Sequence, residues 1–236
     1  MAVCVFNGRV KVMSFGFQTK NQDGFVTVDA DYRNLVLREK ISGTFSPVYE
    51  QIGLMAIYID RKQVSITNAT DPICFLYSTA KAGFVEINIT GSTYTWTISS
   101  NVAGDYTAYI FDVPTTESNG HGIKVYDEAA SLVFDSENKY MKVIDVFELP
   151  PPSGGDEITN TRTYDQNGTY AVGITNPNAF LLLRFNALFL SSVTCSTNSI
   201  TITDNGLRDN GYVVDGMGVL SREKPVPYMV IDVTGY

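Results

Sequence analysis

Apolar and polar residues alternate along most of this 236-residue chain. The segments Met55–Ile59 and Val85–Ile89 show the two-residue period clearly. This is the period of a half-buried β-strand, and Thr, Val, Ile, Tyr and Phe, which dominate such runs, pack well on a pleated surface. A convincing amphipathic helix is missing. The best candidate, 127–130, is a single turn between two strand-like runs, and we predict a hairpin connection there.

Turn signals separate the strand-like runs. Asn7-Gly8, Thr90-Gly91-Ser92 and Asn119-Gly120 are examples of the glycine-containing pairs that favour tight turns. Many short strands with a turn every few residues are typical of antiparallel sandwiches and barrels. The pattern therefore predicts an all-β protein.

The chain also contains an internal repeat. Residues 16–37 align with residues 122–143 at an offset of 106, apolar on apolar. The offset is 105 where Asp71-Pro72 meets Asn176-Pro177, 104 at residues 92–101, and 120 where Phe111-Asp112-Val113 meets Ile231-Asp232-Val233. Self-similarity of this kind indicates a tandem duplication. We predict two antiparallel β-sandwich domains that arose from one unit.

The polar segment 114–120, with a Pro and an Asn-Gly pair, gives the natural boundary. The predicted domains are residues 1–115 and 116–236. The jump in offset near the end predicts that the second copy carries an insertion loop at about 206–227, and such insertions go to surfaces. The second copy also holds most of the excess acidic residues, fifteen against eight basic.

Two polar loops of the second copy are the candidate partner contacts. One is the Pro-rich stretch 150–157, and the other is the insertion loop. The candidate contact residues in the insertion loop are charged or aromatic: Arg208, Asp209, Tyr212, Asp215, Arg222, Glu223 and Lys224.

Composition narrows the classes of protein. Hydrophobic residues make up 44% and charged residues 18%, which excludes a disordered chain. The net charge of -8 has the wrong sign for a nucleic-acid partner. No run reaches the roughly 18 to 20 apolar residues of a membrane span, and we expect neither membrane insertion nor a secretory signal. The three cysteines, Cys4, Cys74 and Cys195, suggest buried small side chains rather than disulfides.

Catalytic chemistry is sparse. His121, between two glycines, is the only histidine, and a structural role is the simpler interpretation. The acidic turns at residues 165–168 and 204–211 lack the spacing of a calcium loop. No serine elbow or activated cysteine is evident. We expect no enzyme, no metal and no cofactor.

Trp96 has two interpretations. Its ring could stack on a sugar, together with Tyr94. Its repeat partner, however, is Ile200, and a position that accepts isoleucine favours the core.

The segment from His121 to Val146 resembles the opening hairpin of small β-rich modules in tailed-bacteriophage tail and virion proteins. It consists of Gly-Ile-Lys-Val-Tyr-Asp, a short turn, Leu-Val-Phe-Asp-Ser and then Met-Lys-Val-Ile-Asp. Residues 16 to 37 repeat it more loosely. The resemblance implies a virion component, made in a bacterial cytoplasm, and transfers no functional residues.

The leading hypothesis is therefore a non-enzymatic structural protein of a phage virion, associated with a tail tip, baseplate or tail fibre. Its partners would be other virion proteins in a symmetric assembly. A capsid decoration protein is a second option. A carbohydrate-binding adhesin that contacts a host-surface glycan through Trp96 and exposed tyrosines such as Tyr94, Tyr106 and Tyr212 is the alternative from another class. A glycosidase is a more distant one.

Overall fold

The computed structural model describes the backbone and side chains of eight ranges of the chain and only the backbone of several further strands. The fully described ranges are 34–50, 58–115, 121–127, 130–150, 158–165, 167–173, 191–203 and 225–236. Only the strand backbone is described at 3–6, 9–12, 18–20, 26–29, 51–52, 55–57, 174, 179–182, 187–190 and 204.

All the regular structure in these ranges is β-strand. The strands are β1 Val3–Phe6, β2 Arg9–Val12, β3 Gln18–Lys20, β4 Val26–Asp29, β5 Val36–Phe45, β6 Val48–Ile52, β7 Met55–Ile66, β8 Ile73–Ser78, β9 Ala82–Thr90, β10 Thr93–Ser100, β11 Gly104–Asp112, β12 Lys124–Tyr126, β13 Leu132–Asp135, β14 Val143–Leu149, β15 Ile158–Thr163, β16 Tyr170–Ile174, β17 Ala179–Leu182, β18 Ala187–Leu190, β19 Ser192–Cys195, β20 Ser199–Asp204 and β21 Val226–Asp232. The paired strands are antiparallel. The predicted all-β, antiparallel class is confirmed.

The chain divides into two compact units. The smaller contains Met1–Val36 and Val113–Tyr140, and the larger contains Leu37–Asp112 and Met141–Tyr236. We call Leu37–Asp112 the N-terminal half of the larger unit and Met141–Tyr236 its C-terminal half. The predicted domains 1–115 and 116–236 and the insertion loop at 206–227 stay predictions.

In its described residues the smaller unit contains three two-stranded ribbons, β1–β2, β3–β4 and β12–β13. In β12–β13 the predicted hairpin connection is confirmed: the amide of Asp127 donates to the Ser131 carbonyl, and Ala130 adopts a positive φ of 59°. The register of β3–β4 matches that of β12–β13 at the offset of 106, since Gln18 lies opposite Asp29 and Lys124 opposite Asp135. Both ribbons carry one irregularity at the same place.

The larger unit contains two sheets to which both halves contribute. The seven-stranded sheet has the order β15-β20-β19-β9-β10-β7-β6, and the six-stranded sheet has the order β14-β21-β16-β8-β11-β5. The N-terminal half therefore contributes β8-β11-β5 from the centre outwards, and the C-terminal half contributes β16-β21-β14. In the seven-stranded sheet the N-terminal half likewise contributes β9-β10-β7 from the centre outwards, and the C-terminal half contributes β19-β20-β15.

Each half has its own core between the two sheets. In the N-terminal half Phe45 and Leu76 of one sheet pack with Val64 and Ile98 of the other. In the C-terminal half Phe147 and Val172 pack with Val193 and Ile202. Strand alternation points every second side chain inwards, so two facing sheets enclose an apolar layer. The arrangement is sandwich-like.

A central seam joins the halves. Leu76 of β8 pairs with Val172 of β16, and Ala82 of β9 pairs with Val193 of β19. Gly173 follows at the seam, where an added Cβ would lie 2.8 Å from Cε1 of Phe75. Glycine is therefore needed for the close approach of the two strands.

The repeat alignment departs from the sheet order at one point. The offset of 105 places Phe75-Leu76 on Phe180-Leu181. In the structure β16 lies beside β8, whereas Phe180 and Leu181 belong to β17, which pairs with β18 in a separate ribbon. The similar apolar residues at 75–76 and 180–181 therefore belong to strands in different sheets.

Candidate interaction surfaces

Four strands form the outer edges of the two large sheets. The seven-stranded sheet ends in β6 and β15, and the six-stranded sheet ends in β5 and β14. An edge strand presents unpaired backbone groups, and proteins usually protect such strands with charged side chains or other devices. The side chains on these four edges decide which of them can accept a partner.

Charged side chains protect β5. The guanidinium Nη1 of Arg38 lies 3.7 Å from the Asp112 carboxylate, which also accepts hydrogen bonds from the amides of Thr70 and Asp71. The ammonium of Lys40 donates to the Tyr236 carbonyl at 2.6 Å and lies 5.5 Å from the centre of the Tyr109 ring. These contacts hold two cations against the edge.

β14 lacks this protection at the corresponding positions. It has the same place in the strand order as β5, and the offset of 106 places Ile144 on Arg38 and Val146 on Lys40. Ile144 is 43% exposed and Val146 is 58% exposed, whereas Phe147 and Leu149 point into the core. The edge of the C-terminal half is therefore apolar where that of the N-terminal half is charged.

A second apolar surface lies on β6 and β7. Tyr49 is 70% exposed and lies directly opposite Tyr58, with the two ring centres 5.1 Å apart. Val48, next to Tyr49 on the edge strand, is also exposed. Exposed tyrosines are enriched in protein interfaces because they bury a large area at low entropic cost. We call Val48, Tyr49 and Tyr58 the tyrosine edge.

The core interpretation of Trp96 is confirmed. Its side chain is 4% exposed and packs in the N-terminal core, and Ile200 is fully buried in the C-terminal core. Tyr94 stacks on Trp96 with ring centres 6.2 Å apart and donates its hydroxyl hydrogen to the Thr70 carbonyl. No face of the Trp96 ring is open to a sugar, which removes the geometric basis of stacking there.

Tyr106, the next tyrosine of the glycan alternative, is also buried. It is 6% exposed and packs against Phe45 with ring centres 4.8 Å apart. It also fills the space beside Gly43, where an added Cβ would meet its ring. Its assignment as an exposed tyrosine is therefore wrong, because β11 turns this residue into the core.

The predicted partner-contact residues lie outside the described residues. These are Arg208, Asp209, Tyr212, Asp215, Arg222, Glu223 and Lys224. The Pro-rich loop is described only at Pro150. The loops stay predictions.

A polar cluster that the sequence analysis missed lies in the C-terminal half. The Tyr164 hydroxyl donates to the Asp145 carboxylate at 2.9 Å, and Nη1 of Arg162 lies 3.8 Å from the same oxygen. The Arg162 guanidinium also lies 4.4 Å from the centre of the Phe147 ring. Burial raises the pKa of Tyr164 well above its usual range, and the hydrogen bond to Asp145 raises it further.

Register explains how Arg162 reaches this position. Arg162 lies opposite Ile200, just as Val64 lies opposite Trp96 in the other half. The smaller isoleucine leaves room for an arginine stem, and the side chain as a whole is 42% exposed. A comparison of the two registers could have found this residue, but the strand sequence alone could not.

The two described cysteines have little reactivity. Cys74 and Cys195 are buried free thiols, as predicted. Burial raises the pKa of Cys195 to about 12 and also raises that of Cys74, so neither is a thiolate near neutral pH. Among the fully described side chains, no three His, Cys, Asp or Glu residues form a group that could hold a metal ion. His121 is exposed.

Comparisons with known proteins give no relative. No family model matches the chain, and neither a curated protein nor a solved structure matches it. No helix in the described ranges is long and apolar enough to cross a membrane.

Proposed function

We propose that this chain is a non-enzymatic structural protein that works by binding other proteins in an assembly. The observation that carries the proposal is the exposed aromatic pair of the tyrosine edge. Tyr49 and Tyr58 are 70% and 41% exposed, and they lie on an edge strand and its neighbour with Val48 beside them. A few aromatic side chains of this kind supply most of the binding free energy in typical interfaces.

The more specific setting is a phage virion, with the chain at a tail tip, baseplate or tail fibre. This part of the proposal comes from the resemblance of residues 121 to 146 and 16 to 37 to virion modules. The matched ribbon registers of β3–β4 and β12–β13, together with the repeated strand order of the larger unit, support a duplicated origin. Two similar halves suit a component that meets repeated subunits of a symmetric assembly.

The test replaces the tyrosine edge in the full chain. Tyr49→Ala with Tyr58→Ala is expected to lower incorporation into particles purified from the producing cells at least tenfold, since each interface tyrosine contributes about 1 to 2 kcal/mol or more. Quantitative mass spectrometry of the particles measures incorporation. Val102→Ala, at an exposed residue outside the strands, is the matched control. Equal incorporation of both variants, or the absence of the wild-type chain from every particle, would contradict the proposal.

A further inference from the structure

The strand β14 exposes apolar side chains on an outer edge of the larger unit, and its pairing with β21 shifts register between Val143 and Asp145. No other described strand pairs with its outer side in the six-stranded sheet. Val143, Ile144 and Val146 are 43%, 43% and 58% exposed. Because exposed β-branched residues favour strand pairing and carry no charge to oppose it, such an edge is a template for a further strand.

The neighbouring strand extends this apolar surface. Met229 of β21 lies directly opposite Val146, and directly opposed residues share one face of a sheet. Met229 is only partly buried. Val146 and Met229 therefore share one face, and the exposed Ile144 lies beside them at the register shift; we call these three residues the β14 strip. Its counterparts in the N-terminal half, by sequence offset, are Arg38, Lys40 and Tyr109, where Lys40 covers the tyrosine ring.

The sheets of this chain already grow by pairing of like strands. At the central seam β8 pairs antiparallel with β16, and β9 pairs antiparallel with β19. The members of each pair have the same place in the order of their halves. A two-fold axis beside the outer edge of β14, perpendicular to the sheet, would continue the six-stranded sheet by the same rule, with β14 of one copy antiparallel to β14 of another.

Charges permit this pairing. With Val146 opposite Val146 of the second copy, Asp145 faces Phe147, and Glu148 meets the register shift at Ile144. No two carboxylates are opposed, so the usual penalty for like charges directly across a ladder does not arise. The same faces also meet: Phe147 points inwards, and Ile144 and Val146 lie on the exposed strip.

We propose that two copies of this chain associate through antiparallel β14–β14 pairing that buries the β14 strip. The inference rests on the proposed function, because it specifies one protein contact of an assembly component. Edge-to-edge pairing would join the six-stranded sheets of the two copies into one.

The first experiment compares oligomeric states of the full chain by sedimentation equilibrium over a wide range of concentrations. The wild-type chain is expected to dimerise. Ile144→Arg with Val146→Lys, which installs the residues of β5, is expected to be monomeric. Thr159→Lys with Thr161→Arg changes two exposed residues on a different edge strand, β15, and should remain dimeric. A monomeric wild type, or a dimer that survives Ile144→Arg with Val146→Lys, would overturn the proposal.

A second experiment does not depend on folding of the charged variant. In a Cys4→Ser background, Val146→Cys is expected to form a disulfide-linked dimer on mild oxidation, because directly opposed residues have the Cα separation that a disulfide needs. Glu148→Cys is the control, since the register separates its two copies by about four residues, roughly 13 Å. Equal cross-linking of both cysteines would reject the register.

The outcomes separate the two proposals. A monomeric chain that is still incorporated into particles rejects β14 pairing and leaves the assembly function standing. A dimer that is absent from all particles rejects the assembly function and leaves the pairing standing. If a different protein binds β14 and prevents cross-linking of the Val146→Cys variant, the proposal of a homodimer is also overturned.

Discussion

The two halves of the larger unit solve one packing problem in different ways. In the N-terminal half Val64 lies opposite Trp96, and both are buried. In the C-terminal half Arg162 lies opposite Ile200, and the arginine side chain is 42% exposed. The comparison teaches that one register position holds a buried valine in the first half and a partly exposed arginine in the second, so the polarity of the position is not conserved.

The edges differ in the same sense. Arg38 pairs with Asp112 and Lys40 donates to the Tyr236 carbonyl, so these contacts hold charge on β5, whereas Ile144 and Val146 expose hydrocarbon on β14. The C-terminal half thus places the Arg162 guanidinium beside the core residue Phe147. Its apolar side chains Ile144 and Val146 lie on the outer edge. One backbone order therefore supports two different surfaces.

The largest expected loss of unfolding free energy comes from placing the arginine of the C-terminal half at the matching position of the N-terminal half. Val64→Arg places a cation at a fully buried position beside Trp96. An uncompensated buried charge costs about 3 to 5 kcal/mol of unfolding free energy. Urea denaturation measures the loss. Ser65→Arg, at the exposed neighbouring residue, is the control; similar stability of the two variants would show that this core tolerates what its counterpart contains.

Trp96→Ala is expected to be the next most damaging change. Removal of a buried tryptophan side chain costs about 3 to 5 kcal/mol of unfolding free energy. The same urea experiment measures it, and Tyr49→Ala, at a residue that is 70% exposed, should change stability little. A Trp96→Ala variant that keeps its stability but loses binding on a glycan array would restore the sugar-stacking interpretation.

High pH is expected to destabilise both cores through their cysteines. The folded-state pKa of Cys195 is raised from 9.0 to about 12 and that of Cys74 is raised as well, so the thiols contribute full stability below pH 9. Between pH 9 and 12 the unfolded chain releases these protons while the folded chain keeps them, and the unfolding free energy falls. Urea titrations at several pH values measure the slope. Cys195→Ala should make it shallower; an unchanged slope would contradict the burial of this thiol.

The smallest effect is expected for the reverse exchange, Arg162→Val. It removes a partly exposed cation–π contact with Phe147, which contributes about 0.5 to 1 kcal/mol. It also removes a cation that lowers the pKa of Tyr164, so this pKa should rise. Urea denaturation and phenolate absorbance, with Tyr164→Phe as reference, measure the two changes. Arg61→Val, at an exposed ion pair with Glu50, is the control; a larger loss than for Val64→Arg would reverse the comparison.

Strand identity could be predicted from the sequence because alternation is a local property. The strands β7 and β9 and the hairpin connection after Tyr126 follow from residue types within a few positions. The burial of Trp96 followed from its match with Ile200, since an internal repeat compares two environments for one position.

The seam and the polar cluster could not be predicted in this way. Pairing of β8 with β16 is made by backbone groups, which every residue carries, so no side-chain pattern marks it. Arg162 lies in a strand whose other residues include three threonines, and threonine is accepted on either face of a sheet. Only the register, which sets Arg162 opposite Ile200, reveals that its stem lies beside the core.

The central seam has a consequence for how the chain folds during synthesis. Residues 73–90 provide β8 and β9, but their seam partners β16 and β19 begin only at Tyr170 and Ser192. Until those residues leave the ribosome, the seam edges of β8 and β9 lack their partner strands. Another nascent chain can supply the missing strands during this interval. Domain-swapped polymers, with the two halves contributed by neighbouring molecules, are therefore the misfolded form that this topology favours.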